Sequence, residues 1–299
     1  MFPSGSISVE RFELVHPLIQ GNKWYKLKYN LINCVSEGKD TILSFGGAYS
    51  NHIHALAAAG KMAGINTIGV IRGEKPAELN HTLRDALSFG MRLHFVSRSE
   101  YRKRYSEEYI DELHGIFGDF YFVPEGGSNK TGYLGASEML PDDAGDFRRI
   151  FMATGSGGTV GGNLIAASRM GLSETGIVSI PVLKDFNYVI DEVKNILKTG
   201  GVNSFDRFEV LPGWHHGGYA KITDELIEFI REFQALYKIP LDPVYTGKVL
   251  FAVSKLSQSG DIKPDERVLV YHTGGLQGMS GFIERFPRFA FLSRDLIKD

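Results

Sequence analysis

The residues of this chain best suited to chemistry are a lysine, a serine, a glycine loop and two tyrosines. Lys23 lies in Gly21-Asn22-Lys23-Trp24-Tyr25-Lys26-Leu27-Lys28, where a turn-forming glycine and an asparagine suited to capping precede good helix formers. The spacing predicts a helix start at Lys23, where the positive end of the macrodipole disfavours an ammonium and lowers its pKa. A neutral amine at working pH is what a lysine needs to condense with a carbonyl. The competing role is that of one solvated lysine among three on a surface helix.

A second constellation, Ile150-Phe151-Met152-Ala153-Thr154-Gly155-Ser156-Gly157-Gly158-Thr159-Val160-Gly161-Gly162-Asn163, runs an apolar strand into glycines and then into a helix. Successive backbone N–H groups there can approach an anion, Ser156 and Thr159 add hydroxyl donors, and the helix start adds partial positive charge. The stretch is not a P-loop, because no Gly-Lys-Ser/Thr closes it, and the third glycine of a dinucleotide fingerprint falls on Val160. Ser50 and Asn51, followed by His52, stand at the mouth of an alanine-rich helix after Phe45-Gly46-Gly47, a place that suits a carboxylate or a plain N-cap. Tyr219, in Trp214-His215-His216-Gly217-Gly218-Tyr219, and Tyr245, in Asp242-Pro243-Val244-Tyr245-Thr246, sit among glycines or prolines, so loops hold their rings as acid–base groups or as packed aromatics. No partner at ligand spacing makes His215-His216 a metal site, and a solvent-facing or substrate-facing pair is expected.

These groups need a scaffold that brings distant strand ends together. Strands are expected at residues 7–14 (an edge strand), 41–45, 67–71, 92–96, 121–123, 150–153, 177–181 and 268–271. Helices are expected after Lys23 and at about 50–63, 78–89, 105–117, 130–140, 160–170, 186–198, 221–236, 246–257 and 276–285. Alternation at this spacing predicts an α/β protein of two three-layer αβα domains with largely parallel sheets. Breaks at 38–40 and 141–146 divide it into a larger domain, 1–39 with 145–299, and a smaller inserted domain, 40–144, with the site in the cleft between them.

A chain of 299 residues with 43% hydrophobic and 23% charged residues is an ordinary globular sequence, and its formal net charge of -2 gives no reason to expect nucleic acid. The basic run at Arg102-Lys103-Arg104 is followed by Glu107-Glu108 and reads as a solvated helix entry. Cys34 is the only cysteine, in a helical stripe with Leu27 and Leu31, so a packed thiol and a cytoplasmic setting are expected. Met1 to Arg11 shows no leader pattern, and no apolar run approaches the ~20 residues of a membrane span.

Taken in order, Gly21-Asn22-Lys23 with Lys26-Leu27, Ser50-Asn51-His52, Pro124-Glu125-Gly126-Gly127-Ser128-Asn129, Thr154 to Thr159, Asp242 to Gly247 and His272-Thr273-Gly274-Gly275 resemble the 1-aminocyclopropane-1-carboxylate deaminase and D-cysteine desulfhydrase family of fold type II pyridoxal-phosphate enzymes. The resemblance spans nearly the whole chain. It implies pyridoxal 5'-phosphate held by Lys23, with its phosphate on Ser156, Gly157, Gly158 and Thr159 beside Thr154 and Gly155. Asn51 would meet the ring hydroxyl and Thr246 the pyridine nitrogen. Ser50, Asn51, His52 and Trp214 would contact a small amino acid, with Tyr219 and Tyr245 on the reacting face. A threonine at 246, where the deaminases carry glutamate, implies α,β-elimination of the desulfhydrase kind rather than ring opening. Tyr25 and His54 depart from the arginines usual at these places, and a homodimer is expected to cover the short N-terminus. The remaining alternatives are a dinucleotide-binding oxidoreductase, which leaves Lys23 without a role, and a catalytically weak cofactor-binding protein.

Overall fold

The computed structural model describes residues 1–3, 6–203 and 206–292. In chain order the elements are β1 (Ile7–Arg11), α1 (Asn22–Ser36), β2 (Thr41–Gly47), α2 (Asn51–Ala63), β3 (Asn66–Arg72), α3 (His81–Ser88), β4 (Arg92–Val96), α4 (Arg98–Arg102), α5 (Glu107–Phe117), β5 (Tyr121–Val123) and α6 (Lys130–Ser137). The second half adds β6 (Arg149–Thr154), α7 (Gly158–Arg169), β7 (Gly176–Pro181), α8 (Phe186–Thr199), β8 (Phe208–Val210), α9 (Asp224–Tyr237), α10 (Thr246–Ser259), β9 (Val268–His272) and α11 (Gly278–Arg285).

Two wholly parallel sheets result, one ordered β1-β9-β6-β7-β8 and the other β4-β3-β2-β5. Because side chains alternate across a strand, Ile150 and Met152 of β6 pack under α7 and α8 while Phe151 packs under α9 and α10. The four-stranded sheet repeats the plan. Ile42 faces α1, α2 and α3, and Leu43 and Phe45 face the aromatic side chains of α4 and α5. The expected α/β architecture with helices on both faces of each sheet is therefore present.

Two short elements were not legible beforehand: β8, an edge strand of three residues, and α4, a capping box set by Ser97 and Glu100. α4 also corrects the basic run. Arg102 and Lys103 are solvated as expected, but Tyr101 is buried and Arg104 turns toward the cleft to pair with Glu125 at 3.1 Å. The strands of the smaller sheet all fall within 40–144, the segment we propose as the inserted unit. α1 precedes that segment yet packs on it, since Leu27 and Cys34 share a core with Ile42, Ile53 and Leu83. Cys34 is fully buried, its thiol against the Lys39 carbonyl at 3.4 Å, and burial pushes its pKa up.

Candidate active site

The carboxyl ends of β2, β6 and β9 open on one cleft of about 1230 Å³. Strand ends in parallel sheets leave helix N-termini facing such a crevice. Lys23, Ser50, Asn51, His52, Tyr219, Tyr245 and the whole of Thr154–Thr159 line it, so most of the expected constellation is brought together.

Lys23 is the second residue of α1, held in place by the turn before it. Gly21 adopts φ 61°, and a Cβ there would lie 1.8 Å from the Thr273 carbonyl oxygen, so only glycine lets α1 start against the rim after β9. Gly21, not Asn22, is the N-cap; the Asn22 amide instead donates to Thr159 Oγ1 at 2.9 Å, tying α1 to the glycine loop. The Lys23 amine has no hydrogen-bond or ion-pair partner among the described residues, and burial lowers its pKa to about 8. Desolvation is the cause.

Lys26, one turn on, is a residue whose part the sequence argument missed. Its side chain is buried, and Nζ stands 3.5 Å from Ser128 Oγ and 2.7 Å from where a Cβ on Gly158 would be. Burial and then the charge of Lys23 push its pKa far down. The available signal was a lysine in the apolar stripe of α1, beside Leu27 and in line with Asn30 and Cys34. Behind both lysines, His52 is held neutral by burial, then by Lys23 and Lys26; its Nε2 meets Ser44 Oγ at 2.8 Å, and Nδ1 has no partner.

α7 begins at Gly158 with no side-chain cap, which leaves its first N–H groups free at the cleft. Ser156 Oγ reaches Ser128 Oγ at 3.1 Å, and Thr154 is fixed in the sheet by Ser179 at 2.7 Å. Buried amines without a carboxylate, set on a glycine loop and an uncapped helix start, are costly alone and balanced by a bound multivalent anion. A phosphorylated aldehyde supplies both halves, its phosphate for Lys26 and the loop and its carbonyl for Lys23. The residues present therefore fit pyridoxal 5'-phosphate.

Across the cleft Ser50 caps α2, accepting from Ile53 N at 3.3 Å, and Asn51 Oδ1 accepts from the Gln277 side chain. Tyr245 and Tyr219 meet edge to face with centroids 6.1 Å apart; burial, then the Tyr219 hydroxyl, drive the Tyr245 pKa well above 10. Tyr245 Oη lies 3.5 Å from where a Cβ on Gly155 would be, against the glycine loop.

A family model for pyridoxal-phosphate-dependent enzymes matches residues 12–274. This chain belongs to that family. Among relatives of this pyridoxal-phosphate enzyme is a Pyrococcus furiosus protein named as a candidate 1-aminocyclopropane-1-carboxylate deaminase, 31% identical over 95% of this chain and 88% of the relative. An Arabidopsis thaliana mitochondrial protein named as a bifunctional D-cysteine desulfhydrase/1-aminocyclopropane-1-carboxylate deaminase is 29% identical over 93% of this chain and 74% of its own length. A crystal structure of an ACC deaminase homologue superposes with a TM-score of 0.80 at 28% identity, covering 95% of this chain and 88% of that one. The fold of the enzyme is thus the one the resemblance implied.

Two expected positions, Thr246 and Trp214, differ in this pyridoxal-phosphate enzyme. Thr246 is fully buried and off the cleft wall; its hydroxyl donates to Asp242 Oδ2 at 2.6 Å, and Asp242 is among the residues that line the cleft. Asp242 Oδ1 also accepts from Val244 N and Tyr245 N, so an Asx-type turn explains the arrangement. Trp214 lies off the cleft with its ring against Phe251 at 6.2 Å, because the larger core needs the aromatic surface there. His215 and His216 also lie off the cleft: His215 Nδ1 accepts from Gly217 N, and burial lowers the pKa of His216, beside Thr223, to about 4. Among the described residues no three His, Cys, Asp or Glu side chains cluster as metal ligands, and no helix is long and apolar enough to cross a membrane.

Proposed function

We propose that this pyridoxal-phosphate enzyme is a lyase or deaminase of small amino acids, with desulfhydrase-like α,β-elimination on D-cysteine as its reaction. One observation carries the reading: an unpartnered, desolvated amine at Lys23 opens on the same cleft as a phosphate cradle and a helix start suited to a carboxylate. When bound, the cofactor supplies an electron sink for negative charge at the substrate Cα. Lys23 would hold its aldehyde and then move the substrate Cα proton. Lys26, Ser156 and the free N–H groups of α7 would hold its phosphate. Ser50 and the first turn of α2 orient the substrate carboxylate, while Tyr245 and Tyr219 stand over the glycine-loop side to protonate or orient the leaving group. Loss of the Cα proton and of thiolate leaves an enamine, which water hydrolyses to pyruvate and ammonia.

Asp242 favours a second reading. A carboxylate on the cleft wall beside Thr246 supplies negative charge where the sequence offered a neutral hydroxyl, and so supports the stronger electron sink that opening 1-aminocyclopropane-1-carboxylate requires. A homodimer in the cytoplasm completes the proposal, supported by the exposed Ile32 and Val35 on α1 and the buried Cys34. The test is a panel of D- and L-cysteine, 3-chloro-D- and 3-chloro-L-alanine and 1-aminocyclopropane-1-carboxylate, scored for keto acid and ammonia. Pyruvate from the D-enantiomers is expected; 2-oxobutanoate from the cyclopropane alone would move the assignment to the deaminase. No product from any of them removes both.

A further inference from the structure

A lysine that the site does not use is buried behind it. Lys248, in the first turn of α10, is fully buried and lies off the cleft wall, so it touches neither cofactor nor substrate positions. Its Nζ donates to the carbonyls of His215 at 2.8 Å and Gly218 at 2.9 Å, on a loop 30 or more positions earlier. That loop needs an external hold. His216 and Ala220 adopt φ of 51° and 52°, a left-handed conformation unfavourable for side-chain-bearing residues, on either side of Gly217 at 95° and Gly218 at 115°. Gly218 immediately precedes Tyr219, and Asp242, in the turn that leads into α10, accepts from the Tyr245 N–H at 2.8 Å. One helix start thus fixes the backbone beneath both cleft tyrosines.

We propose that Lys248 is a positioning residue for Tyr219: its clamp on the His215 and Gly218 carbonyls sets the Tyr219 ring against Tyr245, and catalysis depends on it through Tyr219 alone. Burial lowers the Lys248 pKa to about 8, Asp242 opposing, but either form of the amine carries the two N–H groups that the carbonyls need. The inference rests on the function proposed above only for the role of Tyr219, and its test includes readouts independent of turnover.

In the cofactor-loaded enzyme, Lys248→Met should keep the cofactor absorbance of the parent and lower kcat by at least about tenfold, as expected for a misplaced reacting group. Exposed Lys221, next to the loop, should be cut faster by trypsin. Trp214, one of two tryptophans, should shift its emission in a Trp24→Phe background. The decisive variant is Lys248→Met combined with Tyr219→Phe, which should lose no more kcat than Tyr219→Phe alone. Multiplying losses, or unchanged trypsin and Trp214 signals, would overturn the proposal. If Lys248→Met does not fold, Lys248→Gln, whose amide ends short of both carbonyls, is put through the same measurements. Should the parent turn over none of the amino acids, the functional reading fails while the loop signals still decide this one.

Discussion

Two helix starts face each other across the cleft, and they are built differently. α7 begins in bare glycine, without a side-chain cap, and with the Lys26 ammonium position against Gly158. α2 begins with Ser50 as its cap and continues in buried alanine. Both offer N–H groups, but the first adds the buried Lys26 amine, which a bound dianion would favour protonating, and so suits a dianion held throughout turnover, whereas the second suits a singly charged carboxylate that must leave. On the proposed roles, this contrast separates cofactor retention from substrate exchange.

The largest expected effect tests the α7 side. Lys26→Met removes a charge-assisted contact worth roughly 1.5–3 kcal/mol, so cofactor affinity, read by titrating the apo protein, should fall about 10- to 100-fold. The same substitution relieves a buried amine without a counter-charge and should raise the thermal midpoint of the apo protein. Weaker loading with a lowered apo midpoint would mean that Lys26 is only a structural residue. The α2 side should respond in the opposite sense. Ser50→Ala should leave cofactor affinity unchanged, lose about 1 kcal/mol of stability through the cap, and reduce kcat/KM roughly tenfold, read from steady-state rates. A loss of cofactor affinity in this variant would erase the distinction between the two helices.

The smallest effect concerns the amine between them. Burial lowers the folded-state pKa of Lys23 to about 8 from 10.5, so the reactive neutral form grows as pH rises and saturates above 8. The rate at which apo protein takes up the aldehyde, followed by visible absorbance, should therefore rise with a midpoint near pH 8 instead of climbing toward 10.5. Protonation of that amine costs folding free energy, so stability contributed by Lys23 is lost as pH falls through the folded pKa.

Much of this was legible because it is local. Strand, glycine turn and helix announce themselves by periods of two and 3.6 and by residues that tolerate unusual backbone, which is why β2 to β7, β9 and the helices at the cleft were foreseen. β8 escaped because three residues at an edge carry almost no period. Lys26 escaped because a lysine two positions before the exposed Lys28 looks like another solvated side chain until the face it occupies is known. Thr246 and Trp214 were placed on the cleft by analogy, and an Asx-type turn at Asp242 and the packing of Phe251 turned them away.

The amino-acid order by itself determined which segments become strands, that both sheets are parallel with helices on either face, and which short motifs belong to the pyridoxal-phosphate family. Tertiary structure alone decided which side chains share the cleft. The contacts that do so join Asn22 to Thr159, 137 positions apart, and Lys26 to Ser128, 102 apart. No local pattern encodes such distances. They arise when two sheets, each closing its own core, bring their strand ends together and leave a few amines in the cleft without a counter-charge.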